Sequence, residues 1–165
     1  MRVPRGFSML EILIVVSLLT ALFGVGLSAS STLKNVIAAR GARQVESLLL
    51  TAAGKARNGT GGTSWGLYLS YDATTRKASS ATVFSGTSYA ARDASKDKVF
   101  PLDKSLRLST VLLSGSGSSS GNDHEVVFTA FSGTTTQYGS LTVDTYDRST
   151  TIDVSPSGTI ARPTL

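Results

Sequence analysis

The chain has 165 residues, a formal charge of +5, 41% hydrophobic residues and no cysteine. This length accommodates one membrane helix and one domain of about 100 residues, which is large enough to bury a core of its own. The lack of cysteine excludes a disulfide framework. The mildly basic charge is compatible with nucleic acid or anionic lipid as a partner, and equally with neither.

The chain begins with a short basic lead, residues 1–5, followed by a long apolar stretch. Between residues 7 and 29 the single charge is Glu11, and the next charge is Lys34. A helix over residues 7–29 reaches about 34 Å at 1.5 Å per residue, enough to cross a hydrocarbon core of about 30 Å. The stretch therefore predicts a transmembrane helix. A carboxylate inside such a helix is costly, which indicates that Glu11 has a functional role.

The residues Gly6-Phe7-Ser8-Met9-Leu10-Glu11 resemble the class III signal of type IV pilins and pseudopilins. The resemblance implies that residues 1–6 are a leader, that a prepilin peptidase cuts between Gly6 and Phe7, and that Phe7 is then N-methylated. It also implies that Glu11 remains in the hydrophobic helix and pairs with the N-terminal amine of a neighbouring subunit. The family more often has Thr where this chain has Met9.

Two other interpretations of the apolar stretch remain open. An ordinary secretory signal peptide has a shorter apolar region and a small-residue cleavage site, for which Leu27-Ser28-Ala29 is a candidate. A plain single-span anchor explains the length equally well. The positive charges on the two sides do not decide the orientation of the stretch. A cytoplasmic N-terminus therefore follows from the resemblance alone.

Residues 30–58 carry an amphipathic pattern that continues the helix. Apolar residues recur at spacings of three and four, at Val45, Leu48, Leu49, Ala52 and Ala56. Asn58 and the glycines up to Gly62 end the helix, because both residue types tolerate the left-handed C-cap geometry. The pattern predicts one long helix over residues 7–58. Its first half would span the membrane and its second half would pack on a globular domain formed by residues 59–165.

Beyond Gly62 the apolar residues alternate with polar ones, which indicates strands. The candidate strands are residues 65–70, 81–84, 106–113, 125–131, 140–144, 151–154 and 158–162. Residues 114–121 form a Ser/Gly run typical of a flexible loop. Short, evenly spaced strands predict an antiparallel β domain, so the whole chain is predicted to be an α+β protein of pilin-like architecture.

The later segments resemble the minor pseudopilins of the GspH/FimT group. The resemblance is carried by Val126-Val127-Phe128, by Gly133, by residues 139–143 and 152–158, and by Trp65-Gly66 after the helix. It implies a structural subunit of a type IV pilus or a type II secretion pseudopilus. The implied partners are other pilin or pseudopilin subunits, the prepilin peptidase and an inner-membrane assembly platform. The implied localisation is single-pass in the cytoplasmic (inner) membrane, with the β domain outside the cytoplasm, and then in the filament.

The alternative function is a DNA-binding or adhesive minor pilin used in DNA uptake. Some FimT-like pilins have arginines flanking the last strand, and here Arg162 matches one of these positions while Thr159 occupies the other. Further cations occur in predicted loops, at Arg76, Lys77, Arg92, Lys96 and Lys98. Phosphate binding needs several cations on one face, because affinity grows with the number of charges neutralised. A plain exported β domain without a filament role is a further hypothesis.

No motif indicates an enzyme, a cofactor or a metal. The single histidine, His124, lies between two acids at a strand end and is expected to be solvated. Asp93, Asp97 and Asp103 lie among loop cations and are expected to balance charge rather than bind calcium. Residues 117–121 match G-x-S-x-G, but they lack the preceding strand and following helix of a nucleophile elbow.

Overall fold

The computed structural model describes residues 8–72, 74–114, 123–145 and 148–162. One helix, α1, is followed by eight strands, with short 3-10 turns at Thr60–Gly62 and Ala94–Lys96. The elements are α1 Met9–Arg57, β1 Trp65–Asp72, β2 Lys77–Ser85, β3 Lys98–Pro101, β4 Leu106–Ser114, β5 Asp123–Phe128, β6 Tyr138–Thr145, β7 Arg148–Val154 and β8 Ile160–Ala161.

The predicted fold class, a long apolar helix with a membrane-spanning first half packed on a β domain, is wrong. The chain divides within α1 into two compact units, Met1–Val36 and Ile37–Leu165. The described side chains of α1 belong to two short helical stretches, residues 9–23 and 40–57.

The predicted transmembrane helix and the predicted single-pass inner-membrane localisation are also wrong. No helix among the described residues is long and apolar enough to cross a membrane.

The second unit is built on an antiparallel sheet of eight strands. Along the sheet the order is β5-β1-β2-β4-β6-β7-β8, and β3 pairs with β2 beside this path. Strands β3 and β4 pair with different parts of β2. Strand β3 pairs with residues 80–83, whereas β4 pairs with β2 at Lys77, opposite Arg107. The pairings of β1 with β2 and β5, of β4 with β6 and of β6 with β7 are longer, whereas β7 and β8 pair only through residues 153–154 and 160–161. The described edge strands of the main path are therefore β5 and β8.

One face of the sheet is covered by residues 40–57 of α1. The apolar stripe of this helical stretch is fully buried, with Val45, Ala52 and Ala56 at 0% exposure. It forms one core with the inward side chains of the strands, which include Leu67, Leu69, Val83, Leu106, Leu108, Phe128, Val143 and Ile152. The spacing of three and four on the helix and of two on the strands brings these residues to a common interface. The core therefore lies between the helix and the sheet.

The C-terminal end of α1 is held by backbone hydrogen bonds. The N–H groups of Gly59 and Phe131 both donate to the carbonyl oxygen of Ala56, each at 2.8–2.9 Å. Gly59 has φ of 61°, a left-handed conformation that glycine adopts without strain. These bonds satisfy a carbonyl that would otherwise be unpaired at the helix end. The Asn58–Gly59 stop predicted from the sequence is thus made together with the distant Phe131.

Gly54→Ala is expected to stabilise the second unit by about 0.5–1 kcal/mol. Gly54 lies inside α1, and a Cβ built there meets nothing within 4 Å. Alanine has the higher helix propensity because it loses less backbone entropy on folding. Urea unfolding of the full chain, followed by circular dichroism, measures the change.

Gly41→Ala is the matched control for Gly54→Ala. Its added Cβ would lie 3.0 Å from Leu106 Cδ1, which is tighter than ordinary van der Waals contact. The gain in helix propensity is therefore offset by crowding in the core. Equal stabilisation by the two substitutions would contradict the difference in packing that we describe.

Candidate functional site

The first helical stretch exposes its apolar side chains on every side. Between residues 9 and 23, eleven large hydrophobic side chains are 49–85% exposed, from Leu19 at 49% to Met9 at 85%. A helix that is hydrophobic all round is normally found buried. Such a surface is typical of a helix covered by a partner. We call residues 9–23 the apolar helix.

The apolar helix begins with a polar cap and the predicted assembly residue. Ser8 Oγ and the Ser8 carbonyl oxygen both accept from the backbone N–H of Glu11, at 3.3 and 3.0 Å. Ser-x-x-Glu is a known N-cap pattern, so Ser8 caps the helix, a structural role that the sequence analysis missed although the pattern was present. The Glu11 side chain is exposed in the first turn, where the helix dipole favours a negative charge. The predicted processing residues Gly6 and Phe7 lie outside the described residues.

Arg162, the predicted DNA-binding residue, makes an ion pair with the helix. Its Nη1 lies 3.6 Å from Glu46 Oε2, and the Arg162 side chain is 36% exposed. Glu46 is on α1 and Arg162 directly follows β8, so the pair ties the last strand to the helix. The charge of Arg162 is balanced in this arrangement.

Two cations lie side by side on the sheet, which the sequence did not predict. Lys77 of β2 is directly opposite Arg107 of β4, and like charges in this position destabilise a sheet. Each has an acid as its other neighbour, since Asp72 is opposite Lys77 and Asp144 is opposite Arg107. The row across four strands is therefore acid, base, base, acid, and it carries no net charge.

The loop aspartates are used in local turns and ion pairs. Asp93 accepts from the backbone and hydroxyl of Ser95, and hydrogen bonds from Ser95 and Lys96 lower the pKa of this carboxyl. Asp103 accepts from Ser105 in the same way, which lowers its pKa. Asp97 binds Arg92 at 2.7 Å. Within the described ranges no three acidic or histidine residues are placed to hold a metal ion.

The structure describes His124 but not the residues of the G-x-S-x-G match. The His124 ring lies against the Tyr71 ring, with centroids 4.9 Å apart, and is half-buried rather than solvated. The contact follows from pairing of β1 with β5, which places His124 opposite Leu69, two residues before Tyr71. The G-x-S-x-G match at residues 117–121 lies outside the described part of the chain.

The sheet face opposite α1 carries an ordered aromatic stack. The rings of Tyr68 and Tyr89 are parallel, with centroids 3.6 Å apart, and the Arg92 guanidinium lies 3.7 Å from the other face of Tyr89. Arg92 Nε also donates to Asp97, and this hydrogen bond raises the pKa of Arg92. Phe84 meets Tyr89 edge to face at 5.5 Å. The segment from Gly86 to Asp97 is thereby held against the sheet.

Next to this stack lies an open cavity of about 430 Å³, which we name the polar cleft. Its walls come from the residue before β1, the segment after β2, strand β5 with the residue that follows it, and the segment before β6. The lining residues with polar side chains are Ser64, Thr87, Ser88, Glu125, Thr129, Thr136 and Gln137, with Val127 as the apolar member. Sequence reasoning missed the polar cleft because its residues come from separate segments and form no local motif.

Comparison with known proteins adds no assignment. No protein-family model matches the chain, and a search of curated proteins and of solved structures finds no significant match to it.

Proposed function

We propose that this chain is a minor pilin-like subunit that assembles into a type IV pilus or a type II secretion pseudopilus through its apolar helix. The observation that supports the proposal most directly is the exposure of that helix. Eleven large hydrophobic side chains on a stretch of fifteen residues, 9–23, are about half or more exposed. A helix with this composition requires a cover of apolar partners.

The energetics of helix packing support an assembly role. Burying a Leu, Ile or Val side chain contributes about 1.5–3 kcal/mol. The apolar helix offers eleven large hydrophobic side chains, so burial of only part of this surface supplies the free energy that association requires. The partners best suited to such a surface are equivalent helices of other pilin-like subunits.

In the proposed assembly, Glu11 takes the role that the resemblance implies. It is exposed in the first turn of the apolar helix, among side chains that assembly would bury. A carboxylate in that setting needs a cation as partner, and the N-terminal amine of a neighbouring subunit meets the need. The role of such a pair is to set the register between subunits, more than to add stability. Cleavage between Gly6 and Phe7 by a prepilin peptidase would generate that amine.

The DNA-uptake alternative depends on cations that the structure places beside acids. Arg162, its one matching residue, is paired with Glu46, and the adjacent cations Lys77 and Arg107 are flanked by acids. No observation among the described residues favours this alternative over the structural subunit.

The proposal is tested by identifying the mature N-terminus and the location of the chain. We expect the chain, expressed with a matching pilin or pseudopilin system, to copurify with sheared filaments. Intact mass and N-terminal sequencing should give N-methylated Phe7. Cells without the prepilin peptidase should accumulate the chain with residues 1–6 and without incorporation.

Two outcomes would overturn the proposal. An N-terminus near Ser30 would mean removal of the apolar helix as an ordinary signal peptide. Correct processing with no incorporation into any filament, under conditions where other subunits assemble, would remove the assembly role.

A further inference from the structure

We propose that the polar cleft binds a neutral saccharide of one or two rings, a function independent of filament assembly. A volume of about 430 Å³ lies within the range of small-molecule sites, about 300–1,000 Å³, and accommodates such a ligand. Along the strands the cleft residues alternate with those that pack on residues 40–57 of α1, so the cleft lies on the other face of the sheet.

The polar groups of the cleft both donate and accept hydrogen bonds. Ser64, Thr87, Ser88, Thr129 and Thr136 contribute five hydroxyls. The oxygens of Ser64 and Ser88 accept from the backbone N–H groups of Ala130 and Ala91, which leaves their O–H groups able to donate. The hydroxyls of Thr87, Thr129 and Thr136 make no hydrogen bond with any described part of the chain.

Glu125 is the one charged side chain among the described residues that line the cleft. The backbone N–H of Tyr89 donates to its Oε2 at 2.6 Å, so this carboxylate has a defined orientation. The other oxygen, Oε1, can accept from ligand hydroxyls, and a hydrogen bond to a carboxylate is stronger than one between neutral groups. Val127 adds an apolar surface suited to the C–H groups of a sugar ring.

This donor and acceptor set selects among ligand classes. The described residues that line the cleft include no Lys, Arg or His, and Glu125 repels negative charge, so phosphate and other anions are disfavoured. An ammonium group can donate to Glu125 and to the hydroxyl oxygens, but it offers no acceptor to the hydroxyl groups, whereas a saccharide hydroxyl offers both a donor and an acceptor. A saccharide hydroxyl donates to Glu125 and accepts from the serine and threonine hydroxyls. A neutral polyhydroxylated ligand therefore satisfies the cleft best.

The walls of the cleft are held before any ligand binds. Thr87 and Ser88 directly precede Tyr89. The Tyr89 ring lies between the Tyr68 ring and the Arg92 guanidinium, and its backbone N–H donates to Glu125. On the other wall, Gln137 Oε1 accepts from the backbone N–H of Val127 at 2.9 Å. A preorganised site loses less conformational entropy on binding, which matters for a small ligand.

The test is nuclear magnetic resonance on the ¹⁵N-labelled full chain, solubilised in a zwitterionic detergent without sugar groups. The probes are glucose, galactose, mannose, N-acetylglucosamine, maltose and lactose, with spermidine and inorganic phosphate as the rival ligand classes. We expect at least one saccharide to shift the amide resonances of Glu125, Thr129 and Thr136 in a saturable manner. Spermidine and phosphate should leave them unchanged.

Two variants in the cleft and two matched controls complete the test. Glu125→Gln retains an acceptor for Tyr89 and removes the charge, and Thr136→Val removes one hydroxyl at constant shape. Glu125→Gln should weaken saccharide binding by about tenfold or more, and Thr136→Val by a smaller factor. Glu46→Gln on α1 and Thr51→Val on its exposed face make the same chemical changes away from the cleft and should leave the affinity unaltered.

Three results would overturn the proposal. The first is saturable binding of spermidine or phosphate at the cleft with no saccharide binding. The second is saccharide binding that is equally strong in Glu125→Gln and Thr136→Val. The third is the absence of a shift with every probe. None of these results bears on filament assembly, so the two proposals fail separately.

Discussion

Gly158→Ala is expected to destabilise the second unit by about 3 kcal/mol or more. Gly158 has φ of 74°, where a side chain introduces strain of about 1–3 kcal/mol. A Cβ at this position would also overlap the carbonyl oxygen of Gly133, and backbone atoms cannot give way as a flexible side chain does. Overpacking of this kind costs a further 1–3 kcal/mol, approximately. Guanidinium unfolding of the full chain measures the loss.

The large effect follows from what the turn at Gly158 connects. Its N–H donates to the carbonyl oxygen of Ser155, and its own carbonyl oxygen accepts from Arg57 Nη2 at 2.9 Å. The turn that leads into β8 is thereby joined to the end of α1. Gly54→Ala is the control, because it makes the same chemical change where a Cβ meets open space. A loss below about 1 kcal/mol in Gly158→Ala would contradict the close approach to Gly133.

Glu11→Ala is expected to abolish incorporation of the chain into filaments. In the proposed assembly the carboxylate pairs with a neighbour's amine in an apolar environment. Removal of one partner of a buried ion pair costs about 3–5 kcal/mol, because the other charge is left uncompensated. That loss corresponds to a factor of more than about 100 in the association constant. The amount of chain in sheared filaments, measured by immunoblot, reports the effect.

Ser17→Ala is the control for the Glu11 substitution. Ser17 lies on the same helix, and its hydroxyl donates only to the carbonyl oxygen of Ile14 at 2.8 Å, a local bond. We expect its incorporation to match that of the unchanged chain. Cleavage between Gly6 and Phe7 should proceed in both variants. Normal incorporation of Glu11→Ala would end the role assigned to this carboxylate.

The two proposals assign separate tasks to the two compact units. The apolar helix, residues 9–23, offers a surface for association, whereas the polar cleft lies on the sheet of the second unit. Variants of Glu11 should therefore leave saccharide binding unchanged, and variants of Glu125 should leave assembly unchanged.

The local alternation of apolar and polar residues was sufficient to predict the positions of most strands. Alternation of apolar and polar residues located seven of the eight, and the predicted segments 65–70, 106–113 and 140–144 lie inside β1, β4 and β6. Strand β3, Lys98–Pro101, was missed because it is short, has exposed residues such as Val99, and includes a proline. Its pairing with β2 comes from tertiary contacts that override weak local preference.

The helix was the element for which pattern reasoning failed. Counting apolar residues from 7 to 29 predicted a membrane-spanning helix, but no helix among the described residues is long and apolar enough to cross a membrane. Hydropathy reports the tendency of side chains to leave water, and it does not distinguish a lipid cover from a protein cover. The amphipathic stretch was predicted over residues 30–58, and in its described part, residues 40–57, the apolar residues spaced by three and four are buried in the core.

The sequence by itself determined the apolar character of the first helical stretch, the position of Glu11 in it, the helix end near Asn58 and most strand positions. These properties depend on neighbours within a few residues along the chain. Only the tertiary structure decided that Glu46 pairs with Arg162, that Lys77 lies opposite Arg107, and that the polar cleft exists. Each of these joins residues distant in sequence, and strand order, which no local spacing encodes, brings them together.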